Sequence, residues 1–213
     1  MTLLINDAGF QVEFRAKIAK AKNPVAMLRN VGREVGNQLN AHFQMKNDTN
    51  PNKLGGRRTN FWLAVSKTIN NGNLNNPQVS GNTVTVTIND PKFPQKVFGG
   101  RIVAKAAKAL TIPLTPEAYG KTAGDFPGAF LIKTMKGAYI VKVGENITVS
   151  GMVSKAKRGE FKGRRAGLNF LFKLVPFVDQ DADPTALPPQ SQLAQAALAR
   201  AQAGLDAEMK NPS

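Results

Sequence analysis

The stretch NPVAMLRNVGREVGNQLNAHF, residues 23–43, decides the first half of the fold. Leu28, Val31, Val35, Leu39 and Phe43 recur at spacings of three and four, which places them on one face of a helix. Asn23-Pro24 opens that helix, since proline suits the first helical turn. Gly32 and Gly36 each weaken it by up to about 1 kcal/mol relative to alanine. Two glycines four apart on one helix also permit close approach by a neighbouring element, and that packing role is the reading we prefer.

Downstream, residues 82–88 alternate cleanly. Val84, Val86 and Ile88 point one way and Thr83, Thr85 and Thr87 the other, the pattern of a half-buried strand. Residues 61–69 read as a second short helix with Trp62, Val65 and Ile69 on one face. The asparagine-rich residues 70–76 and the stretch NDTNPNKLGGRRT, residues 47–59, read as turns and loop. Residues 96–98, 109–112, 131–132, 139–143 and 170–175 are candidate short strands of an antiparallel sheet, and residues 3–14 a strand or short helix. The fold class that follows is α+β: a long N-terminal helix packed on an antiparallel β-sheet, with a basic loop and a C-terminal helical arm.

The 213 residues divide on this reading into a core domain over 1–178, an acidic, proline-rich linker over 179–189 and the helical arm over 190–213. The linker carries Asp179, Asp181 and Asp183, then prolines at 184, 188 and 189, and is read as a solvated connector. The arm is alanine-rich, and its leucines at 193, 198 and 205 give only a thin apolar stripe. Such a helix is marginal alone, so it is expected to dock on an adjacent subunit or another protein, or to fray.

The charge is +15 and uneven. From residue 179 onward there are five acids and two bases, so the part before it holds 27 bases and nine acids. A field of that strength favours a polyanion or an acidic protein surface as partner. The densest segment is the excursion 152–167, where Lys155, Lys157, Arg158, Lys162, Arg164 and Arg165 face a single acid, Glu160. Arg101, Lys105 and Lys108 form a second candidate cluster. Lysine and arginine neutralise phosphates without reading base sequence. Phe161 is the excursion's one aromatic, so a stacking platform for single strands is poorly supported.

Chemistry is harder to place. The chain has no cysteine, which removes disulfides, thiolate metal sites and cysteine nucleophiles. His42 is the one histidine and falls beside the apolar face of the first helix, as a packed side chain would. Gly120-Lys121-Thr122 resembles the end of a phosphate-binding loop, but Thr115 stands where the motif needs glycine. The aspartates after residue 178 lack the glycine and distal glutamate of a calcium loop. No catalytic, cofactor-binding or metal-binding residue is nominated, and a non-enzymatic role is expected. The start, MTLLINDAGFQVEF, has neither a basic n-region nor a long apolar run, so no signal peptide is read and no membrane partner is expected.

Four segments together resemble the virion morphogenesis proteins of tailed bacteriophages, also called tail completion or head-tail joining proteins. They are PNKLGGRRTNFW at 51–62, QKVFGG at 95–100, KALTIPLTPEAYG at 108–120 and DPTALP at 183–188. The resemblance covers roughly residues 28–189, leaving the first 22 residues and the last helix outside, and the basic excursion falls as an insertion. It implies a structural role in the neck or upper tail of a virion assembled in the host cytoplasm. It also implies a ring of copies, about six by analogy with the sixfold symmetry of phage tails. Neighbouring neck, tail or connector proteins and the DNA in the channel are the implied partners. The alternative drawn from the residues alone is a sequence-independent nucleic-acid-binding protein outside any virion.

Overall fold

A computed structural model describes residues 8–49, 60–105, 107–143 and 167–210. They form two compact units. The first comprises residues 8–49, 60–100 and 180–210, and the second the described residues between 101 and 179. The class is α+β, with helices dominating the first unit and an antiparallel sheet the second.

The first unit is built around α2 (Pro24–Thr49). The Asn23 side chain accepts the Ala26 N–H at 3.0 Å, satisfying one of the unpaired donors of the helix start. All five apolar positions of the 23–43 stretch are buried. They meet α3 (Phe61–Ser66), through Trp62 and Val65, and the core continues into Ile69, Val86, Ile88 and Phe93. Phe43 lies between Trp62 and Phe93, 5.9 Å from the first ring and 5.4 Å edge-on to the second. A two-stranded antiparallel ribbon, β1 (Gln78–Ser80) and β2 (Thr83–Thr85), lies against α2, so the antiparallel sheet this helix meets is a ribbon. A Cβ on Gly32 would stand 2.5 Å from Val84 Cγ2 and 2.7 Å from Pro77 Cβ, so this glycine is what lets the ribbon approach. Val86 and Ile88 are buried as their alternation requires, although the regular ladder of β2 ends at Thr85.

One open reading is settled here and two expectations are corrected. Residues 8–20 form a helix, α1 (Ala8–Lys20), which settles the open reading of the N-terminal stretch. Residues 96–98 belong to a short helix, α4 (Phe93–Phe98), and not to a strand. Pro94 sits in its first turn, where a missing N–H costs nothing, and Gly99 ends it at φ 67°. The C-terminal helix, α5 (Gln190–Lys210), packs within its own unit against α2 and α1. Leu193, Ala194, Ala197, Ala201 and Leu205 are buried there. Taken with its alanines, the buried stripe is continuous at helical spacing, and small side chains let helix axes come close. The Glu208 carboxylate then accepts the main-chain N–H groups of Lys22 and Asn23 at 2.9 and 3.4 Å, tying the end of α5 to the corner between α1 and α2.

The segment expected as a solvated linker is anchored too. Ala186 and Pro188 are buried, and the Asp183 N–H donates to the Lys96 carbonyl. Lys46, on α2 and 6% exposed, donates to the Asp183 carboxylate at 2.9 Å and to Thr185 Oγ1 at 2.6 Å. His42 sits one turn earlier, with Nε2 3.0 Å from the Thr185 carbonyl. Burial, aided by the nearby Lys46 charge, lowers its pKa against the opposing pull of that hydrogen bond. It is the packed, half-buried side chain that the sequence indicated.

The second unit holds a four-stranded antiparallel sheet. Its order is β4 (Leu110–Pro113), β7 (Leu168–Val175), β6 (Gly137–Val143), β5 (Phe130–Thr134). The strands expected over 109–112, 131–132, 139–143 and 170–175 all lie in it. A separate pair joins β3 (Gly100–Val103) to β8 (Phe177–Gln180). Among the described residues, Ala118, Phe126, Leu171 and Phe172 form a buried cluster in this unit, and Val141 is buried as well.

Candidate interaction surface

Arg101 is on β3 and Asp179 on β8. The guanidinium Nε donates to Asp179 Oδ1 at 2.8 Å and Nη2 to Oδ2 at 3.2 Å, a two-pronged ion pair. The same guanidinium lies 3.9 Å from the centroid of the Phe177 ring. The hydrogen bonds from Arg101 hold the Asp179 carboxyl below its usual range, and the carboxylate raises the arginine in return. Both side chains are more than half exposed, so the pair fixes geometry more than it stabilises. Arg101 is thus occupied by an acid of its own chain. Lys105 and Lys108, in the loop between β3 and β4, are exposed. The six other candidate cations, Lys155, Lys157, Arg158, Lys162, Arg164 and Arg165, lie outside the described residues.

The sheet carries a second feature. Residues directly opposite in antiparallel strands share a face. Phe130 on β5 is opposite Val141 on β6, which is opposite Phe170 on β7. On the same face, Ile132, Tyr139, Lys173 and Ile112 form the next row across all four strands. Tyr139 meets the Phe170 ring edge-on at 5.3 Å. The other face carries Leu131, Ile140, Phe172 and Pro113. Phe172 there packs on Phe126, with ring centroids 5.8 Å apart.

The apolar residues are not all covered. On β5, Phe130 is 43% and Leu131 55% exposed, one on each face, and the hairpin that follows leaves Met135 fully exposed. β5 pairs with β6 on one side only, so among the described residues its outer edge has no partner strand. An apolar strand with an unpaired edge is a template for pairing with another chain. Charge clusters in the sequence do not point to this feature. The signal it leaves is the apolar run Phe130-Leu131-Ile132 between a Pro-Gly turn and the turn at Lys136-Gly137.

Among the described residues there is no group of three or more histidine, aspartate or glutamate side chains placed to hold a metal, and no helix long and apolar enough to cross a membrane. Comparison with models of known protein families, with curated proteins and with solved structures returns no match.

Proposed function

We propose that this chain is a structural virion protein of a tailed phage, a neck or tail completion component that assembles as a ring of copies. The observation that carries the reading is the β5 edge, which offers main-chain hydrogen-bonding groups flanked by Phe130 and Leu131. Phe130 and Leu131 are 43% and 55% exposed, so pairing at this edge would bury apolar surface. An interface that repeats head-to-tail around an axis closes into a ring when its rotation divides the circle. The resemblance of 51–62, 95–100, 108–120 and 183–188 to head-tail joining proteins supplies the setting, and the net charge of +15 suits a surface near channel DNA.

The test is mass spectrometry of purified virions, native mass spectrometry of the isolated protein, and imaging of particles that contain it. The expected result is a stoichiometric virion component with several copies per particle, whose association is lost on Leu131→Lys while the monomer stays folded. A single copy per particle overturns the ring. Absence from virions together with DNA-dependent pulldown favours the alternative, a sequence-independent nucleic-acid-binding protein.

A further inference from the structure

The inner strand β7 leaves a phenylalanine in the open. In a regular strand, residues two apart share a face, so Phe170 would lie with Phe172 on the side that Phe126 covers. The register between β6 and β7 shifts at this point: Ile140 is opposite Phe172, but Val141 is opposite Phe170, so Leu171 is skipped. This bulge turns Phe170 to the other face, which is how bulges re-aim side chains. Phe172 is 1% exposed and Phe170 39% exposed. Tyr139 holds the Phe170 ring edge-on, and its own hydroxyl donates to the Lys136 carbonyl at 3.3 Å. Phe130, also exposed, is on the same face.

The charge around these rings has one sign. The four strands contain three lysines, at 133, 142 and 173, and no acid. Lys173 shares the face of Phe170 and is directly opposite Tyr139. Lys136, in the turn before β6, and Lys108, two residues before β4, flank the same end of the sheet, because Leu110 is opposite Val175 and Ala138 opposite Leu174. Rows on one face are two residues apart, about 7 Å. A self-contact of this face would bring like charges together, whereas a polyanion with flat apolar groups matches both the lysines and the rings.

We propose that this face of the sheet binds single-stranded nucleic acid. Bases would stack on Phe170 and Phe130, and phosphates would meet Lys173, Lys136 and Lys108. Every base has a π face, so such binding tolerates any sequence, and the lysines neutralise the backbone without reading it. The inference rests on the bulge and the rings it exposes. It is independent of the β5 edge as an assembly surface.

The test uses the full chain and fluorescence anisotropy with a fluorescein-labelled oligothymidine of about 15 nucleotides, set beside a duplex of the same length. Phe170→Leu keeps the side chain apolar and removes its π face. It should weaken single-strand binding by about fivefold or more, the loss of one base stack. Duplex binding should change by less than about twofold, because a duplex hides its base faces and phosphate contacts remain. Phe170→Trp should retain the single-strand affinity. Leu131→Ser, on the opposite face of β5, should leave it within about twofold. Any of four results overturns the proposal: no single-strand binding by the unmodified chain, an unchanged affinity for Phe170→Leu, an equal loss for the duplex, or an equal loss for Leu131→Ser. The second of these, joined to lost self-association in native mass spectrometry, would give the face to a second copy.

Discussion

The Lys46 ammonium lies 2.9 Å from the Asp183 carboxylate, 137 residues further along the chain, and 4.6 Å from the centroid of the Trp62 ring. One buried cation thus joins α2, α3 and the segment that leads into α5. Lys46→Met removes the donor and leaves a half-buried carboxylate with one partner fewer. The expected cost is about 1–3 kcal/mol, read from urea melts.

The same pair gives an acid dependence. Burial acts to raise the Asp183 pKa, but hydrogen bonds from Thr185 and Lys46 outweigh it and hold the group below its usual value. A depressed folded value means that the stability it contributes is present above the unfolded value, about 3.9, and is lost as pH falls through the folded one. Asp183→Asn lacks this dependence. The stability gap between the unmodified chain and Asp183→Asn should be full above about pH 4 and close below it. A gap independent of pH would remove the pair from the acid response.

The two glycines of α2 should respond in opposite directions. At Gly36 an added Cβ would meet Leu74 Cδ2 at 3.5 Å and Asn70 Nδ2 at 3.8 Å, ordinary van der Waals distances. Gly36→Ala is therefore expected to stabilise by about 0.5–1 kcal/mol through helix propensity. At Gly32 the Cβ would clash with Val84 and Pro77, and Gly32→Ala should cost about 1–3 kcal/mol because the ribbon must move. Thermal melts of both variants decide this, and two shifts of the same sign would contradict the packing described.

What is legible in the sequence follows from the range of the forces involved. The face of α2 and the burial of Ile88 depend on periodicity, a local property, and both can be read directly. The run Lys96-Val97-Phe98 looks like a strand because it is short and apolar in part, yet Pro94 opens a helix through it. A leucine count underrates α5 because it misses Ala194, Ala197 and Ala201, whose burial depends on how close a partner helix comes. Asp179 and Asp183 read as solvated because their partners, Arg101 and Lys46, are 78 and 137 residues away. Of the candidate surface, the cations are visible as composition. The β5 edge is not, since an unpaired edge is a property of sheet order.

Placing α5 in the first unit's core reverses what a thin leucine stripe implies for truncation. Removing residues 190–213 should uncover the α2 face and lower the melting temperature of the isolated chain, and so should a single change. Leu193 is fully buried, and Leu193→Ala is expected to cost about 2–5 kcal/mol. An unchanged melting temperature for the truncated chain would mean that α5 does not hold this unit together.

The last prediction separates the cations by whether they are already occupied. Arg101 is paired with Asp179 and stacked on Phe177, so Arg101→Gln should change DNA binding little. Lys105 and Lys108 are exposed on the loop between β3 and β4. Lys155–Arg165 holds six cations and one acid within eleven residues, too many to neutralise one another. Replacing Lys157, Arg158, Arg164 and Arg165 with glutamine should leave the melting temperature near its starting value, because the sequence of this segment offers few aliphatic residues to a core. Every phosphate no longer neutralised should flatten the slope of log affinity against log salt by about 0.9 for duplex DNA. Salt titrations of duplex binding test this directly. A slope that changes for Lys105→Gln with Lys108→Gln but not for the fourfold variant assigns the DNA-facing role to the β3–β4 loop. A slope unchanged in both removes these clusters from DNA binding and leaves an acidic protein surface as what they face.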